Sequence, residues 1–132
     1  MKLNFTMSEL LHSDTAKIYG INNIPSDPKV FDNMLLLITE VLQPLRNYIG
    51  KPIIINSGYR SIALNAKVGG VDTSQHLYGQ AADFIIYGLT VDEIIAKVKA
   101  SGIRYDQLIH EGGWVHISYN TKGNRMQYIN CA

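Results

Sequence analysis

A single cysteine, Cys131, stands next to the end of the chain, so no internal disulfide can staple the fold. Charge is also sparse. Charged residues make up 17% of the sequence and the formal net charge is +1. Without a basic field there is nothing to recruit nucleic acid or an anionic membrane surface. Long apolar runs are missing too. "MLLLI" at 34–38 is far too short to cross a bilayer, and no membrane insertion is expected. The opening "MKLNFTMSELLHSD" has one lysine and no apolar stretch ending in small residues, which does not fit a secretory signal. Three phosphate or nucleophile signatures are lacking: no G-x-x-x-x-G-K-[ST], no G-x-G-x-x-G and no G-x-S-x-G occurs.

What is present is a chain of 132 residues, 46% of them apolar. That size and composition suit one domain over 1–132 with a real core, held by packing with or without a metal. Thr6 and Glu9 form a T-x-x-E capping box, which predicts a short helix from about Met7. Asp27-Pro28 reads as N-cap and first helical residue. Val30, Met34, Leu37, Ile38, Val41 and Leu45 then recur at helical spacing up to Gly50, with Pro44 expected to kink that helix or split off its last turn. "IIINS" at 53–57 and "AADFIIY" at 81–87 read as strands, with a short helix or turn through "YRSIALNAKVGG" between them. Thr90 and Glu93 open another helix that stops at Gly102. "DQLIHE" and "WVHISY" flank Gly112-Gly113, a two-residue hairpin signal. The expected class is α+β, with helices followed by a small, mainly antiparallel sheet.

Within that outline, "SQHLYGQAADF" at 74–84 does not read as ordinary core or loop. His76 lies in a polar, glycine-bounded segment where an imidazole has no packing reason to be. Asp83 interrupts an apolar strand. A buried carboxylate needs a partner, so Asp83 either helps hold a ligand or simply caps backbone or pairs with an arginine. Hairpin arithmetic supplies a third residue. With Gly112-Gly113 as the loop, Ile109 faces His116 and His110 faces Val115. Alternation then puts Gln107, Ile109, Glu111, Trp114, His116 and Ser118 on one face. His110 points to the other face, and His12 reads as surface. Two imidazoles and a carboxylate, with a fourth position left for water, form the usual ligand set of a catalytic zinc. Glu111 is then free to act as general base. Asp106 and Asp72 are the next acids to consider. Cys131, terminal and without a basic neighbour in sequence, does not fit a nucleophile.

These residues resemble the zinc peptidases of the M15 group, which act on peptidoglycan stem peptides as D-Ala-D-Ala carboxypeptidases, D,D-dipeptidases and phage L-alanyl-D-glutamate endopeptidases. The matching segments are "SGYRS" at 57–61, "SQHLYGQAADF" at 74–84 and "WVHIS" at 114–118, and the short phage and prophage members look most similar. The resemblance implies the zinc fold shared with hedgehog signalling domains, and one zinc per chain on His76, Asp83 and His116. It implies Arg60 as the residue stabilising charge on the substrate carbonyl. Ser74, Tyr59 and Trp114 are expected to contact substrate, and Gly58 and Gly79 to let backbone approach the site. Several members carry their acid three residues before the last histidine, where this chain has Gly113; Glu111 is the nearest acid. The implied activity is hydrolysis of a stem-peptide amide bond, as in a cell-wall-degrading endolysin. The alternative is a silent zinc-binding module for peptidoglycan or a protein partner. A monomer is expected, made in the bacterial cytoplasm and acting at the cell wall after phage- or host-mediated release.

Overall fold

Residues 2–132 are described by the computed structural model. Two capped short helices lead the chain: α1, Met7–Leu11, with the expected Thr6–Glu9 capping box, and α2, Asp14–Tyr19, capped by the Ser13 side chain. Asp27 then caps α3, Pro28–Leu37, which continues through a π-helical turn, Ile38–Leu42, into α4, Gln43–Ile49. The widened turn explains how Pro44 is tolerated. Proline has no N–H for the next helical bond, and its ring would meet the carbonyl four residues back. One extra residue in the preceding turn relieves that clash, and the Gln43 N–H reaches back to the Ile38 carbonyl instead. The helical path therefore bends its hydrogen bonding rather than breaking.

The remaining elements are β1, Ile54–Ser57; α5, Ile62–Lys67; a 3₁₀ turn at Gln75–Tyr78; β2, Ala81–Ile85; α6, Val91–Ser101; β3, Gln107–His110; β4, Val115–Ser118; and β5, Gln127–Asn130. The strands form one sheet in the order β1-β2-β4-β3-β5. Every pairing is antiparallel except β3 with β5, which is parallel. The expected α+β class with a mainly antiparallel sheet is what forms. No helix among the described residues is long and apolar enough to cross a membrane.

Alternation decides which face of the sheet is buried. Leu108 and His110 of β3, with Val115 and Ile117 of β4, turn toward the core. There they join Phe84, Leu10, Met34, Leu37, Val41, Leu42, Leu45, Ile94 and Val98. Burying each of these larger apolar side chains contributes about 1.5–3 kcal/mol relative to exposure. The helices thus cover one face, and the opposite face of β2, β3 and β4 is left to carry a cleft.

Candidate metal centre

Strand register brings the central pair together. Asp83 of β2 sits directly opposite His116 of β4, and on its other side opposite Ser57 of β1. Directly paired residues share a sheet face, so Asp83 and His116 meet by backbone geometry alone. His116 Nδ1 lies 2.9 Å from Asp83 Oδ1. His76 arrives from outside the sheet on the 3₁₀ turn. Ser74 starts that turn, accepting the His76 N–H on its hydroxyl at 3.2 Å. Gly79 ends it with a left-handed φ of 70°. A Cβ at Gly79 would lie 2.7 Å from the Val30 carbonyl and 2.8 Å from Met34 Cγ, so the glycine also lets the turn press against α3.

The imidazole of His76 is oriented by the backbone. Its Nδ1 lies 2.6 Å from the Gly58 carbonyl oxygen. A carbonyl only accepts, so Nδ1 must carry the hydrogen and donate. In the neutral ring Nε2 is then a bare lone pair, and it faces Asp83 Oδ1 at 3.2 Å. Two acceptors pointed at each other in a buried place repel unless a positive charge lies between them. His76 is 2% exposed and Asp83 6%, so water cannot screen the contact. A proton on Nε2 or a cation satisfies this geometry, and the donor set is one that could hold a cation. Nitrogen, oxygen and nitrogen donors from His76, Asp83 and His116 all lie within 4.8 Å of one another. A tetrahedral zinc with bonds of about 2.0–2.1 Å spaces its ligand atoms roughly 3.3 Å apart, close to the contacts found. The residues present fit zinc.

Charge around Asp83 is arranged to keep it anionic. Burial alone would raise its carboxyl pKa, but with a proton on the facing ring nitrogens, hydrogen bonds and charge from His116 and His76 outweigh this and hold it well below the usual carboxylate range. Its second oxygen, Oδ2, receives Arg60 Nη2 at 3.3 Å. The arginine pairing expected as one reading of Asp83 is thus present, and it leaves Oδ1 facing the two histidines. Arg60 is further fixed by Nε donating to Ser57 Oγ at 3.1 Å and Nη1 to Asn65 Oδ1 at 3.3 Å. Burial lowers the guanidinium pKa, while the negative charges of Asp83 and Glu111 act in the opposite sense.

A cleft of about 700 Å³ opens over these groups. Arg60, Ser74, His76, Asp83, Glu111, Trp114 and His116 all line it. The hairpin register is the expected one: Ile109 pairs with His116, His110 with Val115, and Glu111 N–H bonds to the Trp114 carbonyl at 3.1 Å. Gly112 supplies the positive φ of 93° that a two-residue loop needs. Gln107 and Ile109 join the cleft wall as alternation requires, whereas Ser118 on the same face is buried and accepts the Gln107 N–H. His110 turns away: its Nδ1 accepts the Gly112 N–H at 3.1 Å and its Nε2 faces Asp92 at 3.2 Å. His12 is exposed beside Asp14.

Tyr59 takes a different place from Ser74 and Trp114. It lines an adjoining hollow of about 440 Å³ with Asp27, Ile62, Asp72 and Tyr78, joined to the first through Arg60. Of the two glycines expected to let backbone approach the site, Gly79 presses against α3, whereas Gly58 does bring a backbone carbonyl to His76. Gly58 is pressed against the Leu10 backbone, and its contribution is the carbonyl that orients His76. Asp106 is 1% exposed and its oxygens are taken by Arg125 and Gln75, which leaves it no role as a substitute base. Gln75, directly before the histidine, also lines the cleft, and Asn65 supports Arg60; neither residue carries a motif that marks it in the sequence.

The sequence model of the family described as Peptidase M15 matches residues 3–118. A zinc D-Ala-D-Ala carboxypeptidase of Streptomyces albus G is 51% identical over 43 residues, which cover 32% of this chain and 17% of that protein. The similarity therefore spans less than a fifth of the relative's length.

Proposed function

The chain belongs to the M15 peptidase family, and from that premise we propose that it is a zinc peptidase hydrolysing an amide bond in peptidoglycan stem peptides, of the D,D-carboxypeptidase or L-Ala-D-Glu endopeptidase type. The observation that carries this reading is His76 Nε2 held 3.2 Å from the Asp83 carboxylate by the Gly58 carbonyl behind the ring, with His116 beside them in an open cleft. His76, Asp83 and His116 would hold one zinc. The chemistry zinc would supply when bound is polarisation of the scissile carbonyl and a lowering of the pKa of water to about 7.

The chain's own residues do the rest. Glu111 takes a proton from the attacking water and returns it to the leaving amine. Arg60 directs positive charge to the oxygen that becomes anionic, from a guanidinium whose position three hydrogen bonds already fix. Ser74 and Trp114 contact substrate along the cleft, and Tyr59 contacts the part of it that extends past Arg60 into the adjoining hollow. The protein acts at the cell wall after release from the cytoplasm, in phage lysis or wall remodelling. Gly113, standing where several relatives carry their acid, favours a second reading: a zinc-holding module that binds peptidoglycan without turnover. Hydrolysis of a defined stem peptide, followed by mass spectrometry of the products, decides between them and identifies the bond.

Arg60→Ala should fold and keep zinc while losing ~100- to 1,000-fold in turnover, the usual scale for one electrostatic donor. Because Arg60 also neutralises Asp83 Oδ2, zinc content is measured on the same sample. Unchanged turnover would reduce Arg60 to a counter-ion of Asp83.

A further inference from the structure

Beneath the cleft lies a second carboxylate that the mechanism does not use. Asp106, at the start of β3, accepts four donors: the Arg125 backbone N–H at 2.9 Å and Nε at 2.8 Å on Oδ1, with Arg125 Nη2 at 2.9 Å and Gln75 Nε2 at 3.0 Å on Oδ2. Four donors fill an ionised carboxylate. The carboxylate accepts only, so the Gln75 NH₂ must face it, and this fixes which way the Gln75 amide points. The other end of that amide is alone: Gln75 Oε1 is buried without a partner. Asp106 is thus the one hydrogen-bonding anchor of the Gln75 side chain among the described residues. Gln75 opens the 3₁₀ turn, and the next residue is His76.

Holding Arg125 in place requires unfavourable backbone. Met126, which follows it, has a φ of 52°, the only positive value at a non-glycine among the described residues. A left-handed conformation is costly for a side chain with a Cβ. It is kept by the Arg125 pair and by main-chain bonds from Met126 to Tyr105 and from Gln127 to Asp106. This segment lies beyond residues 3–118, where the family similarity ends.

We propose that Asp106 is a positioning residue for His76: clamped by Arg125, its carboxylate holds the Gln75 side chain and through it the turn that carries the histidine. The C-terminal segment thereby becomes part of the support of the metal centre. This rests on the zinc reading above, because the effect is read at the metal.

The test is zinc affinity of the full chain, by competition with a chromophoric chelator, together with the visible spectrum of the cobalt(II)-loaded protein. Gln75→Leu and Asp106→Asn should each weaken zinc binding ~10- to 100-fold, the range for loss of a group that orients a ligand, and alter the cobalt bands. Acting through one amide, the double variant should bind no more weakly than the worse single. Thr90→Ala, which removes the distant cap of α6, should lower the melting temperature and leave zinc affinity unchanged. Wild-type affinity and an unaltered cobalt spectrum in Gln75→Leu would overturn the proposal even if Asp106→Asn does not fold, as would additive losses in the double variant. A wild type that binds no zinc would bring down the metal reading and this inference together, a result distinct from variants that match a zinc-binding wild type.

Discussion

Glu111→Gln is expected to keep its zinc and lose at least ~100-fold in stem-peptide hydrolysis, the usual scale for a positioned proton acceptor. Metal binding and proton transfer fall to different side chains. Glu111 is outside the trio of donor atoms, and an amide occupies nearly the same space, so the metal has no reason to leave. What the amide cannot do is accept a proton from water. Glu111 sits one residue past β3 in a hairpin whose loop is only Gly112-Gly113, pinned by its own N–H to the Trp114 carbonyl. That tight base fixes the point from which the side chain leaves the backbone. Glu111→Asp should therefore recover little, because the shorter side chain withdraws the carboxylate from the cleft. Near wild-type hydrolysis by Glu111→Gln would show that another group takes the proton. Asp106 is no longer available for that role, given its four donors.

His116→Ala and His110→Ala should behave in opposite ways although the two histidines are close neighbours across one hairpin. Removing His116 takes one of the three proposed ligands, whose Nδ1 lies 2.9 Å from Asp83 Oδ1. Zinc affinity should fall by more than the ~10- to 100-fold that loss of an outer hydrogen-bond partner costs, and hydrolysis should vanish at ordinary zinc concentrations. Removing His110 disturbs the Gly112 and Asp92 contacts on the core side. Some stability should be lost, with zinc content unchanged. Elemental analysis of both purified variants reads this directly. Metal lost from His110→Ala and kept by His116→Ala would mean that the opposite face of the hairpin carries the site.

That contrast was legible in the sequence because the strand period is exactly two and the loop is glycine-glycine. Once the loop length is known, every side chain in β3 and β4 is assigned to a face. Asp83 was legible for a different reason: a carboxylate in an apolar strand needs a compensating partner. Helix starts at Thr6, Asp27 and Thr90 were readable from side-chain caps, each of which forms. The α2 helix was not, since its cap Ser13 is followed at the third position by Ala16, leaving no reciprocal acid. Strand β5 was missed because four residues, "QYIN", carry too little pattern, and its parallel partner β3 lies far back in the chain. The direction of Tyr59 was equally out of reach. Beyond the register shift between Ile55 and Ser57 the chain leaves the sheet, and alternation no longer says where a side chain points. Asp106, Gln75 and Arg125 meet across separations of 31 and 19 residues, which no local pattern encodes.

The most direct test of the central claim is hydrolysis of a purified stem peptide by the wild-type chain, followed through chelation and zinc re-addition with metal content measured at each stage. Turnover is expected with about one zinc per chain, to be lost when the metal is stripped and to return when zinc is restored. Hydrolysis that continues in the stripped protein would contradict the metal's role. A chain that holds zinc at His76, Asp83 and His116 yet cuts no stem peptide would contradict the peptidase.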